Sequence, residues 1–192
     1  IEAGAIPRLI KLTSDGANAE LSLLVAWVLT NITGVAGLED LAQIVNNGVL
    51  RVLIIMLFHV DGHVREQATW CLGNVIADNT VYRDTALHEG AMAPLLSHAM
   101  TAAKEEYLND HVAPGRAKRH WARRISRTLC NLCGGSPRPE YSEVKIALPL
   151  LGRLLFEDDD HVLDHTLITL ALLSSTGRES VHAVLSCHEG VA

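Results

Sequence analysis

The chain has 192 residues, of which 48% are hydrophobic and only 4% are aromatic. Leu, Ala and Val fill most of the apolar positions, a composition that favours helices over sheets. The formal net charge is −6, so the sequence argues against general nucleic-acid binding, which needs clustered positive charge, and suits a basic partner. No apolar run reaches the roughly 20 residues that a membrane-spanning helix needs.

The cysteines and the ends of the sequence indicate its context. The spacing of the four cysteines gives no disulfide framework, which favours a reducing compartment. The sequence does not begin with Met and its last residues read like the middle of a repeat, so we expect a fragment of something longer. The cysteines are Cys71, Cys130, Cys133 and Cys187.

A short phrase centred on a glycine recurs from the start of the chain. Gly4, Gly48 and Gly90 open similar apolar segments, 44 and then 42 residues apart, and Gly190 begins another. Glycine at such a junction predicts a tight corner between two helices, where a positive φ is needed.

A second phrase recurs out of phase with the first. Trp27 and Trp70 lie 43 residues apart, and each is followed by an asparagine four residues later, Asn31 and Asn74. A third copy ends at Asn131, which lies 57 residues after Asn74, so we expect an insertion near 101–118. A fourth copy spans 166–173.

A period in the low forties with helical apolar spacing is typical of HEAT and armadillo repeats. We predict an all-α, right-handed armadillo solenoid of about four stacked repeats, each with a short helix, a second helix and a long third helix. The approximate repeats are 1–38, 39–79, 80–136, 137–178 and a partial one at 179–192. Since one repeat cannot bury its own apolar face, we expect a single stacked segment over 1–192.

Acidic turn signals lie between the two phrases. They occur at 14–16, 60–62 and 157–160. Carboxylates at these places fit helix N-termini, where they meet the positive end of the helix dipole. The glycine- and proline-rich stretch 134–139 is predicted to be a loop.

The tryptophans are predicted to face away from the core. Each residue turns an α-helix by about 100°, so Asn31 lies near Trp27. The opposite side carries the predicted aliphatic stripe of Val25, Ala26, Leu29 and Ile32. The same holds for Trp70 and Asn74, and Asp78 falls one further turn along. A tryptophan on an amphipathic helix is usually a core residue, but here the opposite stripe already supplies the core.

Such a face, which we expect to line the concave surface of the solenoid, suits an extended basic peptide. Parallel indole rings accept long aliphatic stems, and Lys or Arg heads interact favourably with the rings. An asparagine amide can bond both the N–H and the C=O of an extended backbone. A nearby carboxylate can pair with a lysine.

At these residues the sequence resembles the importin-α (karyopherin-α) family, the armadillo adaptors for nuclear localisation signals. The resemblance covers nearly the whole chain apart from the insertion and places it in the repeats of the family's major signal-binding groove. It implies a non-catalytic nuclear-import adaptor that shuttles between cytoplasm and nucleus. The segments that carry it are 26–32, 64–75, 82–84, 129–133 and 158–163.

The resemblance also assigns roles. Trp27 and Trp70 match groove tryptophans, Asn31, Asn74 and Asn131 match backbone-binding asparagines, and Asp78 matches the acid that receives the key lysine. It implies importin-β as a partner through a segment not in this chain, with no cofactor, nucleic acid or membrane.

The chain departs from the family pattern at three positions. Arg127 stands at the third tryptophan position, where like charge weakens binding of a cationic peptide. Ile168 and Leu172 occupy the fourth-repeat aromatic positions. An armadillo or HEAT scaffold for a different, non-basic partner is therefore the alternative function.

Other chemistry has weaker support. His161 and His165 stand one turn apart but lack a third ligand, so a helical metalloenzyme ranks far lower. Cys130 and Cys133 flank Asn131 in an apolar helical pattern, which favours core cysteines. A basic run around Trp121 is interpreted as a solvated face, or as a contact with an acidic partner or with the chain's own acidic segments; it comprises Arg116, Lys118, Arg119, Arg123, Arg124 and Arg127.

Overall fold

The structure is a computed structural model, and it describes residues 4–14, 18–77, 79–104, 114–175 and 177–187. Within these residues every regular element is a helix, and none is long and apolar enough to cross a membrane. The chain divides into two compact units, 1–94 and 95–192.

The first unit contains a complete three-helix repeat. Its short helix α3, its second helix α4 and its long helix α5 follow the order predicted from the sequence, and α1 and α2 supply a second and a third helix before them. The bounds are α1 Ala5–Ser14, α2 Ala19–Val35, α3 Leu38–Asn46, α4 Val49–Met56, α5 Gly62–Ile76 and α6 Thr80–His88, and α7 Met92–Lys104 begins in this unit and ends in the next.

The second unit repeats the same order. Residues 105–113 lie outside the described part, while the parts of the predicted insertion on either side of them belong to α7 and α8 and are helical. After α7 the bounds are α8 Pro114–Cys133, α9 Tyr141–Val144 with a 3-10 turn at Lys145–Ala147, α10 Leu148–Leu154, α11 Asp160–Ser174 and α12 Arg178–Leu185.

The helix corners form where the sequence predicts them. Gly4, Gly48 and Gly90 have φ values of 69°, 89° and 84°, which confirms the predicted positive φ. Gly190 lies outside the described residues. The predicted loop at 134–139 contains no helix.

The predicted acidic caps are also present. The carboxylate of Asp61 accepts the N–H of His63 at 2.8 Å at the start of α5, and that of Asp159 accepts the N–H groups of His161 and Val162 at the start of α11. Of the remaining turn signal, at 14–16, residues 15 and 16 lie outside the described part.

The long third helices bury the predicted stripe. Val25, Ala26 and Leu29 of α2 are at most 2% exposed, and Ala68, Leu72 and Val75 of α5 are completely buried. Ile32, which belongs to the same predicted stripe, is half-buried. Complete burial of a Leu or Val side chain contributes roughly 1.5–3 kcal/mol, so this stripe fixes which face of each long helix is left for solvent.

Gly48→Ala is expected to lower the free energy of unfolding by about 1–2 kcal/mol, because an L side chain is strained at this positive φ. No heavy atom lies within 4 Å of the added Cβ, so the cost comes from the backbone alone. Gly48→Asn is the matched control, since Asn tolerates the left-handed region better. Urea unfolding of the two variants checks this, and an equal loss in both would contradict the backbone explanation.

Candidate functional site

Helices α2 and α5 are joined by hydrogen bonds that fix their register. The side-chain amide of Gln67 donates to the hydroxyl of Thr30 at 2.8 Å, and that hydroxyl donates to the carbonyl of Ala26 at 2.8 Å. Further along, Thr33 Oγ1 lies 3.6 Å from Cys71 Sγ. Thr30 contacts Gln67, and Thr33, further along α2, contacts Cys71, further along α5. The two helices are therefore parallel, and their equivalent faces point the same way.

The two tryptophans lie on the outer faces of these parallel helices. Trp27 is 55% exposed and Trp70 is 38% exposed. The exposure predicted for both indole rings is therefore confirmed, while their role in peptide binding stays a prediction. Each ring lies one helical turn from an asparagine on the same face.

The two asparagines differ in their surroundings. Asn31 is exposed, and its side-chain amide has no hydrogen-bond partner within the described part of the chain. Asn74 is half-buried, and its Nδ2 donates to the carbonyl of Thr30 at 3.4 Å. Within the described residues the Oδ1 of Asn74 accepts no hydrogen bond, whereas its Nδ2 serves the neighbouring helix. Asp78 lies outside the described residues.

Two features beside the rings were missed by the sequence reasoning. Leu24 and Val28 of α2 are 46% and 40% exposed and extend the apolar surface beside Trp27. Glu66 lies one turn before Trp70 on α5 and is half-buried. Counting back four residues from Trp70 would have found Glu66, a carboxylate on the face where a cationic ligand is expected.

In the second unit, α8 presents a different set of side chains at the equivalent positions. Arg127 is exposed and Asn131, four residues later, is half-buried. On the neighbouring α11, Ile168 is 44% exposed and Leu172 is half-buried. The helix pattern of the first unit is thus kept, but a guanidinium replaces the ring.

Comparisons with known proteins address the same residues. The family model of the armadillo/beta-catenin-like repeat matches residues 39–77, which lie within the predicted second repeat. Importin subunit alpha-2 of Arabidopsis thaliana is 34% identical over 96% of this chain and 32% of its own length. Importin subunit alpha-1b of Oryza sativa subsp. japonica is also 34% identical, with the same coverage.

Solved structures give the fold. A designed armadillo repeat protein in complex with the peptide (KR)4 superposes with a TM-score of 0.74 at 21% identity, over 97% of this chain and 71% of that one. Computationally designed armadillo repeat proteins for modular peptide recognition give a TM-score of 0.74 at 16% identity, over 95% of this chain and 70% of that one. The all-α armadillo solenoid class is confirmed.

This chain is an armadillo-repeat relative of importin subunit alpha. It spans about a third of the length of the curated relatives that it matches. Relationship to importin-α extends over both units, because the matched stretch covers 96% of the chain.

The structure of this importin-α relative also places the cysteines and histidines that the sequence raised as candidates. Burial raises the pKa of the Cys71 thiol to about 12, so the thiol is protonated and unreactive. Cys133 is a core residue, as predicted, whereas Cys130 is half-buried. In the described part of the chain, no three His, Cys, Asp or Glu side chains are grouped to hold a metal, and His165 Nδ1 lies 2.8 Å from the carbonyl of His161.

The basic run on α8 is partly engaged with an acidic segment of the same chain. Arg123 Nε lies 3.0 and 2.9 Å from the two carboxylate oxygens of Asp159, and its Nη2 lies 2.9 Å from Oδ2. This contact is one of the alternatives expected from the sequence. Trp121 is buried at 2% exposure, and the side chains of Arg116, Lys118 and Arg119 lie outside the described residues.

Asp159→Asn is expected to lower the free energy of unfolding at about pH 7 by about 1 kcal/mol, because the cap oxygen remains but the charge is lost. The hydrogen bond from Arg123 lowers the pKa of Asp159, against the opposing effect of burial, and the N–H groups of Val162 and His161 lower it further. A lowered folded-state pKa means that the ionised carboxylate stabilises the fold above its unfolded pKa. That advantage disappears as pH falls through the folded pKa.

Urea unfolding of wild type and Asp159→Asn at neutral and acidic pH measures this difference. The gap between the two proteins should shrink at acidic pH. Asp61→Asn is the matched control, since Asp61 caps α5 without an ion pair in the described part of the chain. A gap that stayed constant with pH would rule out ionised Asp159 as its source.

Proposed function

We propose that this chain is a nuclear-import adaptor segment that binds basic signal peptides in an extended conformation on the face formed by Trp27, Asn31, Trp70 and Asn74. The observation on which this depends is the exposure of two indole rings on parallel, hydrogen-bonded helices. We propose no catalytic role. The proposal includes Asp78 as the lysine-pairing acid, Asn131 as a further backbone-binding amide, and activity in cytoplasm and nucleus.

The first-unit face has the chemistry that a lysine side chain needs. The indole rings offer apolar walls for the aliphatic stem and a negative ring face for the ammonium head. Glu66 lies one turn from Trp70 and adds negative charge to the same helix face. A designed armadillo protein of the same fold forms a complex with the peptide (KR)4, which supports a basic peptide as the ligand here.

The alternative is an armadillo or HEAT scaffold for a different, non-basic partner, without a catalytic role. Arg127 favours it, because an exposed guanidinium repels a lysine at that position. Titration with a lysine-rich peptide and with an acidic peptide of equal length separates the two functions. Importin-β belongs to the proposal only as a partner of the longer protein.

Trp27→Ala and Trp70→Ala are each expected to weaken binding of a lysine-rich peptide by about tenfold, since an aromatic anchor loses its cation–π and apolar contacts. Fluorescence anisotropy of a labelled peptide gives the Kd. Trp27 is 55% exposed and Trp70 is 38% exposed, so each truncation also removes some buried apolar area, more at Trp70. Urea unfolding of both variants establishes that they are folded under the conditions of the binding measurement.

Phe58→Ala is the matched control for these two variants. Phe58 is 69% exposed and lies in the turn between α4 and α5, in the same unit but outside both α2 and α5. Its removal should leave the Kd unchanged. Unchanged binding in both tryptophan variants, with wild-type binding intact, would reject the proposed face.

Asn31→Ala is expected to weaken the same peptide several-fold, because the ligand backbone loses a hydrogen-bond partner worth about 1 kcal/mol. The amide of Asn31 bonds no described residue, so thermal unfolding should be unaffected. Asn47→Ala changes an exposed asparagine whose side-chain amide, among the described residues, donates to the carbonyl of Gln43, and it should leave peptide binding intact. Equal effects of the two changes on the Kd would argue against a ligand role for Asn31.

A further inference from the structure

The long helices of the two units present opposite charges at equivalent positions. On α5 the outer face reads Glu66, Trp70 and Asn74, each one helical turn from the next. On α8 the corresponding face reads Arg123, Arg127 and Asn131. An acid and a ring therefore precede the amide on α5, whereas two guanidinium groups precede it on α8.

Within the described part of the chain, one of these two guanidinium groups forms an ion pair. Arg123 forms a bidentate pair with Asp159, whose carboxylate is nearly buried. Arg127 is exposed and forms no ion pair or hydrogen bond through its side chain with any residue in the described part of the chain. The positive charge of Arg127 is thus unneutralised by the described residues, while that of Arg123 is locally balanced.

Helix α11 packs against α8, and none of its described side chains pairs with Arg127. Burial raises the pKa of the Cys130 thiol, and the negative charge of Asp164 on α11 adds to this, so Asp164 lies near α8. Asp164 is exposed and forms no salt bridge with Arg127. Ile168 of α11 is apolar and 44% exposed.

We propose that Arg127, together with Asn131, binds an acidic residue of an extended peptide, so that the second unit selects negative charge where the first unit selects positive charge. The inference rests on the proposed function, because it assigns a second preference to the same kind of ligand. Asn131 holds the peptide backbone, and the guanidinium fork of Arg127 meets the carboxylate. The ligand is an extended peptide that carries an acidic residue, which Arg127 on α8 recognises.

The experiment uses a set of labelled peptides built on one lysine-bearing sequence. A single Glu, Ala or Lys is placed in turn at each position outside the lysine segment, and Kd values are measured by fluorescence anisotropy. The position at which Arg127 matters is thus read from the data. Wild type should bind the best Glu peptide roughly three- to tenfold more tightly than its Lys counterpart, and high salt should reduce the difference.

Arg127→Gln should remove this preference while keeping most binding of the Ala peptide. Arg51→Gln is the matched control, because Arg51 is an exposed arginine on α4 and should leave the preference intact. Retention of the preference in Arg127→Gln, or its absence in wild type at every position, would overturn the assignment to Arg127. If none of the peptides bound, including the lysine-bearing parent sequence, the proposed function itself would fail.

Discussion

The packing of α2 against α5 is the constraint on which the candidate site depends. Small and hydroxyl-bearing side chains fill this contact, and the hydroxyl of Thr30 connects both helices by accepting from Gln67 and donating to Ala26. The hydroxyl is buried, so its loss would leave the Gln67 amide without a partner at a cost of about 1–3 kcal/mol. This register determines where both tryptophans lie.

The hydrogen-bonded side of each helix carries Thr30 and Thr33 on α2 and Gln67 and Cys71 on α5. The opposite stripe of each helix is occupied by Leu29 and by Leu72, both completely buried. Trp27 and Trp70 therefore lie on the outer face, since one side of each helix contacts the other helix and the opposite stripe is buried in the core. Exposure of two such rings has an unfavourable hydration cost, which a bound aliphatic stem would offset.

Much of this could be predicted from one sequence, because the repeats supply internal comparisons. Two tryptophans at the same phase of the repeat fix a face in a way that one cannot, and the recurring glycines gave the positive φ at Gly4, Gly48 and Gly90. The helical wheel placed the tryptophans correctly. It did not show which flank of α2 packs against α5, since Thr30 and Leu24 lie to either side of the aromatic face.

Other features depend on contacts that a pattern does not contain. Arg65 is 8% exposed because its Nη1 donates to the carbonyls of His59 and Val60 and thereby holds the turn before α5. An arginine in an amphipathic pattern is ordinarily placed in solvent. Trp121, which stands within a basic run, is likewise buried at 2% exposure. The surrounding charges gave no sign of this.

The distribution of charge between the units follows from the same distinction between used and unused side chains. A charged group that is already paired, such as Arg123 with Asp159, contributes to the fold and is a poor determinant of ligand choice. Arg127 is exposed and unpaired within the described residues, so the fold does not depend on its side chain. An arginine at this position leaves the armadillo packing intact, since Ser126, Thr128 and Leu129 beside it are buried as the repeat requires.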